Sequence, residues 1–223
     1  MPGDMHTGHD HGPEHGHEHE HEWDHGDHSH KIPESFDELR SMALESLLIE
    51  KGVIAPDDID KLLHYYVTDI GPMNGAKLVA RAWLDPEFKK IALESGVKAL
   101  EILGIDNPQS DIIIMENRPG LHHVVVCTLC SCYPWALLGL PPVWYKSTAY
   151  RARVVMDPRS VLREFGVELP ESTEIRVVDS NAEVRYIVMP ERPAGTEGMS
   201  EEQLAALVTR DCMVGTGLPA APE

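Results

Sequence analysis

The 223-residue chain carries 37 acidic against 19 basic residues, for a formal charge of −18 at neutral pH. A balance this acidic gives no electrostatic footing on nucleic acid or on an anionic lipid surface. No apolar run nears the roughly 20 residues that span a bilayer, and the N-terminus lacks the basic-then-apolar pattern of a secretory signal, so the expectation is a cytoplasmic protein with no membrane partner.

Residues 1–30 stand apart. They hold ten of the thirteen histidines and eight acidic residues with no Lys or Arg. So little apolar surface cannot offset ordering entropy, and the segment reads as a disordered acidic tail. Its imidazoles and carboxylates suit weak gathering of divalent metal at several sites, against the plainer reading of a solubilising tail.

Order is expected from Ser35, which with Glu38 matches a capping box. Phe36, Leu39, Met42, Ala43, Leu47 and Leu48 then form a helical stripe that Gly52 stops. Pro56 opens a second helix carrying Ile59, Leu62, Leu63 and Tyr66, and Gly71–Pro72 forces a turn. A third helix spans about 74–83. Asp85 followed by Pro86 caps a fourth, expected to run on to Gly104. His64, alone on its helix, reads as an ordinary core or surface residue.

The second half changes period. Asp111–Glu116 and His122–Val126 read as short buried strands, and Glu174–Val178 and Val184–Met189 as two more. Between them Pro134, Pro141 and Pro142 cut the chain into short pieces rich in Trp135, Trp144, Tyr145 and Tyr150, a stiff aromatic wall or ordinary core. Asp157–Pro158 begins a capped helix to Gly166, and Ser200 with Gln203 begins another ending near Arg210. Alternation along a strand points His122 and His123 to opposite faces, so hydrogen bonding or packing is the preferred role for the pair. Cys212, with no Cys or His neighbour, reads as a single buried thiol.

The chemistry concentrates where the second strand ends: Cys127, Thr128, Leu129, Cys130, Ser131, Cys132, Tyr133. Three sulfurs this close can converge on one ion. Thiolates suit zinc, cobalt, iron or an iron–sulfur cluster better than magnesium or calcium. A disulfide would leave one thiol over, and a fourth side-chain ligand would have to come from Cys212, His122 or His123. A different option lies in the backbone. Held between chelating sulfurs, the nitrogens of Ser131 and Cys132 can lose their protons to a strongly Lewis-acidic trivalent metal, giving three sulfurs, two nitrogens and one open position.

This run resembles the metal-binding segment of the nitrile hydratase alpha subunit. The likeness runs from about Ser35 to Pro219, through Gly71, Pro72, Asn74, Gly75 and Ala76, through residues 80–86, through residues 139–146 and through residues 192–198. It implies an α+β fold in which an N-terminal helical arm precedes a compact domain of short strands and helices, with the metal loop at a strand end. The organisation expected is a tail over 1–30, a helical, partner-contacting arm over 31–104, a metal-binding catalytic domain over 105–219 and a terminal tail over 220–223. By position, Cys127 resembles the axial thiolate, Cys130 the cysteine oxidised to sulfinic acid and Cys132 the one oxidised to sulfenic acid. Ser131 and Cys132 resemble the backbone-nitrogen ligands. The implied catalytic set is Cys130, Ser131 and Cys132.

Thr128 and Tyr133 resemble the cobalt class, implying Co(III), with Fe(III) as the alternative. Gln109 resembles a glutamine beside the metal, and Trp135 adds an apolar wall. The resemblance also implies hydration of small-molecule nitriles to amides together with a separate beta subunit, as an alpha-beta or alpha2beta2 assembly, with room for an activator or metallochaperone. Buried oxidised sulfurs need cations. Arg151 and Arg153 lie nearby in sequence, while the family implies arginines of the beta subunit. Two other readings stand beside this one: the related cobalt subunit of thiocyanate hydrolase, which carries Arg where this chain has Trp135, and a non-enzymatic metal carrier.

Overall fold

Residues 35–106 and 110–222 are described in the computed structural model, which divides the chain into one unit ending at Ile54 and another from Ala55 onward. The histidine-rich segment and Gln109 lie outside the described residues. In the first unit Ser35 accepts from the Glu38 backbone N–H at 3.1 Å and starts α1 (Phe36–Glu50), which Lys51 and the left-handed Gly52 end. The first stop and start signals therefore fall where sequence puts them.

In the second unit α2 (Asp58–His64) begins two residues later than Pro56 suggests. The Asp58 carboxylate accepts from the Ala55 N–H at 2.7 Å and holds a turn there instead. The helix then widens into a π-helical turn, Tyr65–Ile70, closed by Gly71. Next comes α3 (Met73–Leu84), whose Ala76, Leu78, Val79, Ala80 and Ala82 are buried. At about 1.5–3 kcal/mol for each large side chain removed from water, this face is a principal anchor of the fold.

The helix expected from Asp85 to Gly104 is two. Asp85 caps α4 (Pro86–Glu94), and Ser95, in extended conformation, caps α5 (Gly96–Leu103). The break has a packing cause: Gly96 lies so close to Ile112 that a Cβ would collide with the Ile112 carbonyl. A similar correction applies near the C-terminus. Ser200 and Gln203 do form a capping box, but α10 (Glu201–Ala206) stops early because Thr209 makes a second box and starts α11 (Arg210–Val214).

Four strands form as expected: β1 (Asp111–Glu116), β2 (Leu121–Val126), β3 (Glu174–Asp179) and β4 (Val184–Met189). Sequence neighbours do not pair. β1 pairs with β4 and β2 with β3, both parallel, in registers that set Ile112 against Arg185 and Val126 against Asp179. Parallel partners need long crossovers, and the one between β2 and β3 holds the cysteine loop and four short helices: α6 (Trp135–Leu138), α7 (Val143–Lys146), α8 (Thr148–Met156) and α9 (Pro158–Glu164). Every residue of β2 is buried, so the strand that delivers Cys127 is fixed on all sides.

Candidate metal centre

β2 is buried on both faces, its second half being three consecutive valines, and it ends at Val126, handing the chain to a buried Cys127. Ser180 N–H donates to the Val126 carbonyl at 2.7 Å, prolonging the β2–β3 ladder to the edge of the loop. One residue on, Asp179 takes both donors of Thr128: the backbone N–H at 2.9 Å and the hydroxyl at 2.5 Å. The loop thus leaves rigid scaffold through a two-point clamp.

Beyond the clamp the three sulfurs gather. Cys127 Sγ lies 3.4 Å from Cys130 Sγ, and Cys130 Sγ lies 3.1 Å from Cys132 Sγ. All three atoms fall within 4.8 Å of one another, the one such group of potential ligands among the described residues. The Cys130 N–H donates to Cys127 Sγ at 3.3 Å, and the backbone N–H groups of Ser131 and Cys132 help to hold the Cys130 thiol below its ordinary range. The three sulfurs therefore face one small volume. This soft, convergent donor set fits a thiophilic metal ion.

The electrostatics separate the thiols. Contact with the Cys132 sulfur, then with Cys127 and the Ser131 N–H, holds Cys130 down to about 7, while burial, then its sulfur neighbours, pushes Cys132 up to about 12. Cys130, the exposed member, is thus the thiolate present near neutral pH.

Residues remote in sequence close around the loop. Tyr145 donates its hydroxyl to the Cys132 carbonyl at 2.9 Å, and Tyr150 donates to the Val125 carbonyl at 2.7 Å. Arg151 Nη1 donates to the Cys130 carbonyl at 3.0 Å. Arg153, its companion in the sequence reading, instead pairs with Glu164. The mouth is a cleft of about 250 Å³ lined by Cys130, Ser131, Cys132, Tyr133, Trp135 and Arg185. Trp135 forms one wall and meets Tyr66 edge-to-face at 5.2 Å. Arg185 and Asp179 were missed by sequence reasoning, since each stands about fifty residues away on another strand; the Arg185 position opposite Ile112 carries no local signal.

Polar atoms here are left open. Tyr133 Oη, Arg151 Nε and Arg185 Nη1 are buried without a hydrogen-bond partner, which is uncommon in finished interiors. The histidines are not part of this site. His122 Nε2–H donates to the Gly215 carbonyl at 2.7 Å, and its Nδ1 accepts from Asn117 at 3.0 Å. The backbone N–H and Nδ1 of His123 reach the same side chain's oxygen, at 2.7 and 3.1 Å. Cys212 is buried too, its thiol pushed up to about 11 by that burial.

Known proteins share this arrangement well beyond the loop. The family described as nitrile hydratase, alpha chain, matches residues 35–217. A high-molecular weight cobalt-containing nitrile hydratase subunit alpha from Rhodococcus rhodochrous is 53% identical over 188 residues, covering 83% of this chain and 93% of its own. Thiocyanate hydrolase subunit gamma from Thiobacillus thioparus is 47% identical, over 82% of this chain and 79% of its own. Among solved structures, a double-histidine variant of the Fe-type nitrile hydratase from Comamonas testosteroni Ni1 superposes with a TM-score of 0.78 at 44% identity, covering 85% and 93% of the two chains. Three close cysteines recur in unrelated metal proteins, but likeness over this much of the chain requires common descent: the chain belongs to the nitrile hydratase alpha chain family.

Proposed function

We propose that this chain is the metal-bearing alpha subunit of a nitrile hydratase, adding water across a carbon–nitrogen triple bond to give an amide. The observation that carries the reading is the convergence of the Cys127, Cys130 and Cys132 sulfurs on one volume, with Ser131 between the last two, in a chain of this family. Cys127, Cys130 and Cys132 would hold the ion through sulfur, and Ser131 and Cys132 through deprotonated backbone nitrogen. The ion is cobalt in this reading, from Thr128 and Tyr133 and from cobalt-containing relatives at over 50% identity. When bound, a trivalent ion supplies Lewis acidity toward the nitrile.

The chain's own residues do the rest. Oxygens added to Cys130 and Cys132, as sulfinate and sulfenate, would face the cleft, where the Cys132 oxygen is placed to accept a proton from the attacking water. The water oxygen bonds to the nitrile carbon, the nitrile nitrogen gains a proton, and the resulting imidic acid tautomerises to the amide. The Trp135 indole gives the substrate side chain an apolar wall. Arg185, with an unpartnered buried Nη1 at the cleft, offsets negative charge on the Cys132 side. A beta subunit completes the site, in a cytoplasmic alpha-beta or alpha2beta2 assembly, with metal loading assisted by an activator or metallochaperone. Gln109 and the helical arm belong to this proposal, as does metal gathering by the histidine-rich tail.

A second reading, thiocyanate hydrolysis, draws on the subunit gamma likeness and on the cation at the cleft. The test uses this chain co-purified with its beta partner from cobalt-supplemented cells. Non-exchangeable cobalt, two added oxygens on Cys130, one on Cys132 and amide release from nitriles support the proposal. Thiocyanate turnover without amide release reverses the ranking. Unmodified thiols around an exchangeable divalent ion favour a carrier.

A further inference from the structure

We propose that Arg151 is the positioning residue for the backbone-nitrogen half of the ligand set: its guanidinium holds the Cys130 carbonyl and balances the charge that Ser131 nitrogen ligation creates there. The inference rests on the metal-centre reading above and extends it to a residue outside the loop.

Three thiolates and two deprotonated amides exceed the charge of a trivalent ion, and the surplus negative charge favours a cation held against the loop. A deprotonated amide does not keep its charge on nitrogen, because the resonance that makes the peptide planar moves much of it to the carbonyl oxygen. For Ser131 that oxygen belongs to Cys130. It is the atom that Arg151 Nη1 contacts, at 3.0 Å.

The placement is built from the adjoining turn of α8. Ser147 caps the helix by accepting from the Tyr150 N–H at 3.1 Å. Tyr150 then anchors it to the Val125 carbonyl, two residues before the first cysteine. Arg151, the next residue, reaches the far side of the loop. One helical turn therefore ties the strand that enters the metal loop to the peptide that must carry charge.

Arg151 Nε is buried without a partner. A single bond from Nη1 to a neutral carbonyl is a modest return for the lost solvation of that edge. Negative charge on the Cys130 oxygen supplies the return, since a charge-assisted hydrogen bond is about twice as strong as a neutral one. Arg153, two residues on, is engaged with Glu164 and is not available for this role.

The test compares wild type, Arg151→Lys and Arg151→Met, each co-expressed with the beta partner under cobalt supplementation and labelled with carbonyl-¹³C cysteine. Cobalt per chain, thermal unfolding and the isotope-edited infrared carbonyl bands are read together. We expect the wild type to shift a cysteine carbonyl band on loading. Arg151→Met should assemble but retain about a tenth of the cobalt, with the band of its loaded fraction displaced from the wild-type position, and Arg151→Lys should fall between. A loss of loop packing alone would lower stability without moving that band.

Cobalt content and band position equal to wild type in Arg151→Met overturn the role of Arg151 while leaving the metal centre intact. No carbonyl shift in loaded wild type overturns backbone-nitrogen ligation, and this role with it. If Arg151→Met does not assemble, Arg151→Lys at wild-type stability decides: reduced cobalt with a displaced band supports the role, and unchanged values overturn it.

Discussion

The two ends of β2 offer opposite answers to one question: what do ligand-type residues do when buried? At its start, His122 and His123 sit with Asn117 and the Gly215 carbonyl in a network that engages both ring nitrogens of His122 and the backbone N–H and Nδ1 of His123. At its end, Cys127 leads into a loop whose surroundings leave Tyr133 Oη, Arg151 Nε and Arg185 Nη1 unpaired. Imidazoles and thiols are both good metal ligands, so residue type alone does not separate the two ends. Hydrogen-bond satisfaction does. A finished network specifies the fold, whereas unpaired polar atoms leave room for water, an ion or a substrate to join it.

The largest expected effect breaks the open end. Cys130→Ala removes the central sulfur, and metal content should fall to background with turnover of the assembled enzyme reduced on the order of a thousandfold or more. Metal analysis and assay on the same preparation check this. Retention of tightly held cobalt would mean that the loop is not the ligand set.

The closed end should respond in stability instead. Asn117→Ala strips partners from both histidines, costing about 2–4 kcal/mol and lowering Tm by on the order of 10 °C. Cobalt per folded molecule should stay at the wild-type level. A selective loss of metal without loss of stability would make the histidine network part of the centre and dissolve the contrast.

Asp179→Asn is subtler. It weakens both hydrogen bonds to Thr128 without emptying the site, so metal release to a chelator should quicken by about ten- to a hundredfold. Release kinetics decide this one, and an unchanged rate would reduce the clamp to a surface contact.

The smallest effects concern protons. Burial, the largest cause for each, lowers the pKa of His122 and of His123 from 6.5. Protonation then favours the unfolded chain, so their contribution is full above the unfolded value and is lost as pH falls through the lowered folded values. Urea midpoints measured between pH 7 and 5 should decline, and the decline should shrink in Asn117→Ala. At the other end, iodoacetamide on metal-free protein near pH 7 should label Cys130 first, because it is exposed and held near 7 while Cys132 is pushed up to about 12. Peptide mass mapping gives the order.

Much of this molecule is written locally. Ser35, Asp85, Asp157 and Ser200 announce helix starts that the structure keeps, because a cap satisfies backbone donors within three residues of itself. The four strands are equally legible in their β-branched runs, and three cysteines in six positions identify the metal loop without any fold. The prolines after the loop likewise foretell that the chain runs in short pieces there, though not that the pieces are helical.

What sequence left open depends on distance along the chain. Nothing near β1 says that its partner is β4 rather than β2, since a parallel pairing depends on how intervening helices pack. The Ser95 break follows from Gly96 meeting Ile112, and Asp179, Tyr145, Arg151 and Arg185 join the site only because β2, β3, β4 and α8 bring them there. Residue pattern alone located the three sulfurs and the helix caps, which are properties of near neighbours. Which charges and hydrogen bonds surround those sulfurs follows from the fold, because residues 13 to 53 positions from the loop meet it only once the intervening chain has packed.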